Sequence, residues 1–220
     1  MMDLIVSNTA DFVRQELEWL CSAHDFYHID RVWKLAEKIH GQEKRGDILV
    51  IELGALLHES FDDKFYSPEE MQEKRIALKK FLEDEWLDET RIKKVFYVVE
   101  NVGYGKSLER GSDFDMTDEL MIVEDADRLE AIWAIAIART FSYGGKKKRP
   151  IYDPEAPIVE IIDKASYKKN EWSSIQHFYD KLLKLKDLLH TATAQDIAHD
   201  RHAFMERFLE QFHAEWNGEV

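Results

Sequence analysis

An all-α fold is predicted for this chain on three observations. Apolar residues return every three or four positions along most of its 220 residues, the period of a helix with one buried face. Only 4 prolines and 9 glycines interrupt that pattern. A strong helix start also occurs at Ser67-Pro68-Glu69-Glu70, which joins an N-cap serine, a proline at the first helical position and a glutamate that can complete a capping box.

The elements follow in order. His28, Val32, Leu35, Ala36 and Ile39 form one inward stripe, predicting a helix over 28–39 with His28 at its head. Ile48, Ile51, Ala55 and His58 repeat the spacing over 47–58, so His58 closes the inner face of a second helix. The capping box at Ser67 starts a third, running to about Trp86, and Ile92, Val95, Phe96 and Val99 mark a fourth. Residues 103–116 are polar and aperiodic, the pattern of a surface loop, and a helix resumes at Thr117. From Leu120 through Phe141 the chain is dense in Ala and Ile, predicting one central helix buried on most sides. Gly144 to Pro150 reads as a mobile basic loop, and a connecting stretch runs on to about Trp172. Two more amphipathic helices are expected near 174–190 and 193–216, the last carrying Phe204, Phe208, Phe212 and Trp216. No internal repeat is present.

Composition narrows the function classes. A formal charge of −14 argues against wrapping a nucleic acid polymer, whose phosphates demand a basic surface. No apolar run reaches the roughly 18 residues that a membrane span needs. The start lacks the basic flank and apolar core of a secretory signal, and Cys21 is the only cysteine, which excludes an internal disulfide. A soluble, cytoplasmic protein is expected. A small phosphorylated ligand fits the acidic balance if a metal and a few local cations face it.

Three fragments put imidazoles and carboxylates on apolar helical faces: His28, His58-Glu59, and the run from Glu124 to Leu129. Uncompensated polar groups are costly there, so a bound metal is the expected reason for them. Asp125 and Asp127 compete for the third position, because residues two apart on a helix point about 200° apart.

The order His28-x-x-Arg31-Val32, Leu56-Leu57-His58-Glu59, Ala126-Asp127-Arg128-Leu129 resembles the HD-domain metal-dependent phosphohydrolase superfamily. With Ala138-Arg139-Thr140-Phe141, Ile151-Tyr152-Asp153-Pro154 and the tail from Ser173 to Gly218, the likeness extends to the bacterial subgroup that contains YpgQ and YedJ. The resemblance implies an HD-domain helical bundle with additional C-terminal helices, as a single domain over 1–220 that leaves room for a small helical lobe at about 62–116. It implies a divalent metal, manganese in the first place with Co2+, Fe2+, Mg2+ or Ni2+ as alternatives, held by His28, His58, Glu59 and Asp127, with Asp125 the second choice. The implied reaction is hydrolysis of nucleoside triphosphates to monophosphate and pyrophosphate. Asp62 and Asp63 fall where related enzymes that cleave guanosine polyphosphates keep an acidic pair, giving Asp62 a general acid or base role supported by Asp63. Arg31, Lys64, Arg128 and His24 are the expected phosphate-binding groups.

Two departures accompany the likeness. The family has aspartate at position 59, and glutamate there pushes the carboxylate about one carbon–carbon bond, roughly 1.5 Å, farther out. Trp133 stands where relatives carry a small residue. The rival functions are a nucleotide-binding regulatory module whose chemistry Glu59 has weakened, and a phosphomonoesterase or guanosine polyphosphate hydrolase with the same ligands. Oligomeric state leaves no signal in the sequence.

Overall fold

A computed structural model describes residues 2–17, 25–60, 66–156, 163, 166 and 173–220, and among these every regular element is helical. In chain order they are α1 (Met2–Leu17), α2 (Phe26–Glu43), α3 (Ile48–Leu57), α4 (Pro68–Asp84), α5 (Glu89–Asn101), the short α6 (Tyr104–Ser107), α7 (Asp118–Glu130), α8 (Ala134–Lys146), α9 (Gln176–Asp180), a 3₁₀ helix (Leu182–Leu188) and α10 (Ala192–Trp216). None of the described helices is long and apolar enough to cross a membrane.

The helix starts are chemical. Asp25, Asp47, Ser67, Asp88, Thr117 and Thr191 each accept a backbone N–H of the first turn of α2, α3, α4, α5, α7 and α10, satisfying donors that the helix itself leaves open. Ser67 and Glu70 form the full capping box. Asp25 therefore belongs to the cap of α2.

α3 is the centre of the molecule. Eight of its ten residues are buried, which requires neighbours on all sides. Those neighbours are α2, α5, α7 and α1, while α2 also packs along α7. The α2–α3–α7 packing brings residues 28, 58 and 127 to one place.

Three expectations are corrected. The helix over 120–141 is two helices, because Trp133 adopts φ 116°, ψ −165°, a backbone region that essentially only glycine enters. α8 is then mostly half-exposed, with only Ala136 and Gly144 buried. The basic loop begins later than expected, since Gly144 and Gly145 complete α8. A Cβ on Gly144 would collide with Ser174 Oγ, so glycine there permits the close approach of the 173–175 segment. The helix expected over 174–190 is short α9 and a 3₁₀ turn broken at Lys181 (φ −133°). The connecting stretch before Trp172 and Cys21 lie largely outside the described residues.

Candidate metal centre

His28 lies in the first turn of α2, and its backbone N–H is held by Asp25 at 3.1 Å. His58 follows the last residue of α3, with its ring 7 % exposed or less, and Glu59 comes next as that helix turns away. Asp127 projects from α7. The Nε2 atoms of the two histidines approach to 3.2 Å. Glu59 Oε1 stands 3.5 Å from His28 Nε2, and Asp127 Oδ1 stands 3.8 Å from His28 Nε2 and 3.9 Å from His58 Nε2. His28, His58 and Glu59 are the only described residues that bring three metal-binding atoms within 4.8 Å of one another.

The other ring nitrogens set the tautomers. His58 Nδ1 is 2.7 Å from the Ala55 carbonyl, which can only accept, so Nδ1 carries the proton and Nε2 presents its lone pair. His28 Nδ1 stands 3.0 Å from Glu130 Oε2, an ion-pair contact in which the ring N–H does not point at the oxygen, and this side of the ring leaves Nε2 to the cluster. Two Nε2 atoms facing two carboxylates form a set rich in acceptors, which a cation suits. Ligands about 2.1 Å from an ion at right angles lie about 3 Å apart, close to the spacing of the two imidazoles. The residues therefore fit a divalent metal.

Without an ion, a proton takes that place. Burial works against charging His28, but Glu59 and Glu130 outweigh it and push its pKa up to about 9. Glu130 is held below the ordinary glutamate range: burial pushes it up, and His28, Arg139 and Arg31 more than reverse this.

Glu130 is a residue that sequence reasoning missed. Only 3 % of its side chain is exposed; it accepts from Arg31 Nε and Nη2 at 2.9 and 2.7 Å and also pairs with Arg139. It orients His28 as carboxylates orient metal-bound imidazoles elsewhere. The available signal was its position, one turn beyond Asp127 on the same face of α7.

Asp125 and Arg128 are brought elsewhere. Asp125 accepts the backbone N–H groups of His190 and Thr191 and the Thr191 hydroxyl at 2.8–3.1 Å; burial still pushes its carboxyl up. Arg128, expected at the phosphates, is 5 % exposed, pairs with Glu124 and donates to the Leu188 carbonyl, and burial lowers its pKa. Glu124 also takes both Nη atoms of Arg110 at 2.9 Å and lies 2.9 Å from His190 Nε2. His190 is thus part of the charge network around the buried Glu124. Arg31 reaches the cluster through Glu130. His24, Asp62, Asp63 and Lys64 lie outside the described residues.

Comparison with known proteins identifies the family and the fold. Residues 25–132 match the model of the HD domain family. The chain is 30 % identical over 190 residues to YpgQ of Bacillus subtilis, covering 86 % of this chain and 83 % of that one. A protein of Lactobacillus plantarum has a similar structure, with TM-score 0.86, 29 % identity and 99 % of both chains covered. An HD-superfamily hydrolase of Bacillus thuringiensis gives TM-score 0.75 and 39 % identity, also over 99 % of both chains. The structure of B. subtilis YpgQ in complex with ADP gives TM-score 0.71 at 29 % identity, covering 94 % of this chain and 97 % of that one.

Proposed function

The chain belongs to the HD-domain family, and on that premise we propose that it is a divalent-metal-dependent phosphohydrolase that cleaves nucleoside triphosphates to monophosphate and pyrophosphate. One observation carries the reading: His28, His58 and Glu59 each bring a ligand atom within 4.8 Å of the others, with Asp127 Oδ1 3.8 and 3.9 Å from the two imidazoles. The hydrolase named in B. thuringiensis supports the reaction type, and the ADP bound to YpgQ supports a nucleotide as substrate.

In this proposal His28, His58, Glu59 and Asp127 hold the ion, with manganese favoured. A divalent ion there supplies a water of lowered pKa and shields phosphate charge. Glu130 keeps the His28 ring turned to the site. Asp62 moves the proton of the attacking water with Asp63 supporting it, and Arg31, Lys64 and His24 offset the charge of the phosphates. Arg128 is left out, since its guanidinium is spent on Glu124 and the Leu188 carbonyl.

A panel of nucleoside mono-, di- and triphosphates with manganese, cobalt and magnesium, scored for pyrophosphate against phosphate, tests the reading. Pyrophosphate release from triphosphates is expected, and His58→Ala should remove it by on the order of 10³-fold, the several kcal/mol that a metal supplies. Full turnover in His58→Ala would sink the site. Release of single phosphate would move the activity to a phosphomonoesterase, and metal-dependent binding without turnover would make the chain a nucleotide sensor. A sharp rise in Glu59→Asp would show that the longer side chain had weakened the centre.

A further inference from the structure

We propose that the cavity beside Glu59 receives the nucleobase of the substrate, with Glu16 and Lys74 reading its hydrogen-bonding edge. This deepens the nucleotide reading above and rests on it. The cavity measures about 230 Å³, and Phe12, Ile29, Leu56, Tyr66 and Leu78 line it with Glu59. Two of these positions tie it to the metal centre: Ile29 follows His28 in α2, and Leu56 precedes His58 by two residues in α3. The helices that present the imidazoles therefore also build the cavity, and the Glu59 carboxylate borders both.

Its chemistry excludes phosphate as the occupant. Glu16, Glu59 and Glu73 stand around an otherwise largely apolar lining, so a bare polyphosphate would meet more like charge than the single Lys74 ammonium offsets. A flat group with apolar faces and a polar edge fits better. Polar groups stand at the same cavity: Lys74 of α4 pairs with Glu16 of α1, and its ammonium lies 4.6 Å from the centre of the Tyr66 ring. A carboxylate accepts the N–H groups of a base edge, and an ammonium donates to its ring nitrogen or carbonyl. An alkyl chain would use neither.

The test uses the full-length, manganese-loaded protein, with inorganic tripolyphosphate as a ligand that has no base. Ala77 lines the cavity from the exposed side of α4, so Ala77→Trp fills it without cutting into the core. Ala77→Trp should raise KM for nucleoside triphosphates about tenfold or more while the inhibition constant of tripolyphosphate stays within about twofold. Lys74→Met should change the ratio of kcat/KM between bases by about tenfold, because an unpaired edge is what such a site rejects. Equal effects of Ala77→Trp on both ligands, or none on either, would overturn the proposal. So would unchanged base ratios in Lys74→Met, which would hand the cavity to an apolar chain. If the wild type turns over no nucleotide, binding of an α,β-methylene nucleoside triphosphate decides: binding lost in Ala77→Trp keeps the base assignment while the hydrolase reading fails, and no binding by the wild type overturns both.

Discussion

Two polar clusters share one helix, and they differ in balance. On one side of α7, Asp127 and Glu130 face His28; on the other, Glu124, Asp125 and Arg128 face Arg110 and the turn at residues 188–191. At about 100° per residue, the mean directions of the two groups around α7 are about 140° apart, with Asp127 and Glu124 as neighbours about 60° apart where they meet. In the Glu124 cluster each carboxylate meets donors, from Arg110 and Arg128 or from backbone N–H groups. In the His28 cluster acceptors converge on acceptors. The same residue types make a staple where donors and acceptors match, and a site where they leave a place for a cation.

Breaking the staple should have the largest effect. Glu124→Ala would strand two buried guanidiniums, a loss of about 3–5 kcal/mol, and the melting temperature should fall by on the order of 10 °C. Metal content per folded molecule should stay near wild type. If instead the metal is lost while the melt is unchanged, the two clusters are not separate.

A pH titration should tell the clusters apart next. His28 has a raised pKa, so in the metal-free protein its proton adds stability that is fully present below about pH 6.5 and is lost as pH rises through about 9. A metal must displace that proton. Its dissociation constant, measured by calorimetry, should therefore tighten about tenfold per pH unit from neutrality to about 9 and then level off. Glu124 is lowered, since His190, Arg110 and Arg128 outweigh the effect of burial, so its contribution is present above pH 4.5 and is lost as pH falls below it. A metal affinity indifferent to pH over this alkaline range would contradict the assignment of His28.

Glu130→Gln should weaken metal binding by about 10–100-fold, because the His28 ring loses its charged acceptor. An unchanged affinity would leave Glu130 a purely structural residue. The smallest effect is expected at the join after α7. Trp133→Gly relieves a strained backbone worth about 1–3 kcal/mol but forfeits the ring contacts with Phe204 and Arg201, for a net gain of about 1 kcal/mol. A lower melting temperature would show that those contacts outweigh the strain.

Much of the architecture was legible in the sequence because it is locally encoded. The inward stripe of α2, the apolar run of α3 and the capping box at Ser67 each need only their own neighbours. The break at Trp133 was not, since tryptophan gives no hint of a conformation that glycine normally supplies. The 3₁₀ turn after Lys181 was hidden behind leucines that fit either period. In the candidate site, the histidines announced themselves by heading and closing apolar faces. The separation of Asp125 from Asp127 depends on where residues 188–191 come to rest, and Glu130 gains its meaning only from His28, Arg31 and Arg139. Charge networks between distant segments leave little local trace.

If the proposed ligands hold an ion, their spread along the chain bears on how it is loaded. His28 and His58 are 30 residues apart on adjoining helices, while Asp127 is made much later in synthesis. A growing chain with only α2 and α3 folded already offers two imidazoles and Glu59. Such an incomplete, nitrogen-rich set favours copper or zinc over manganese by the ordinary order of affinities. The arrival of α7 adds the oxygen donor that makes the set more hospitable to harder ions. Loading during refolding and loading afterwards, from the same mixture of zinc and manganese, should then leave different ions in the protein when its metal content is measured, with more zinc in the refolded sample. If so, the time at which α7 docks helps to decide which metal the centre keeps.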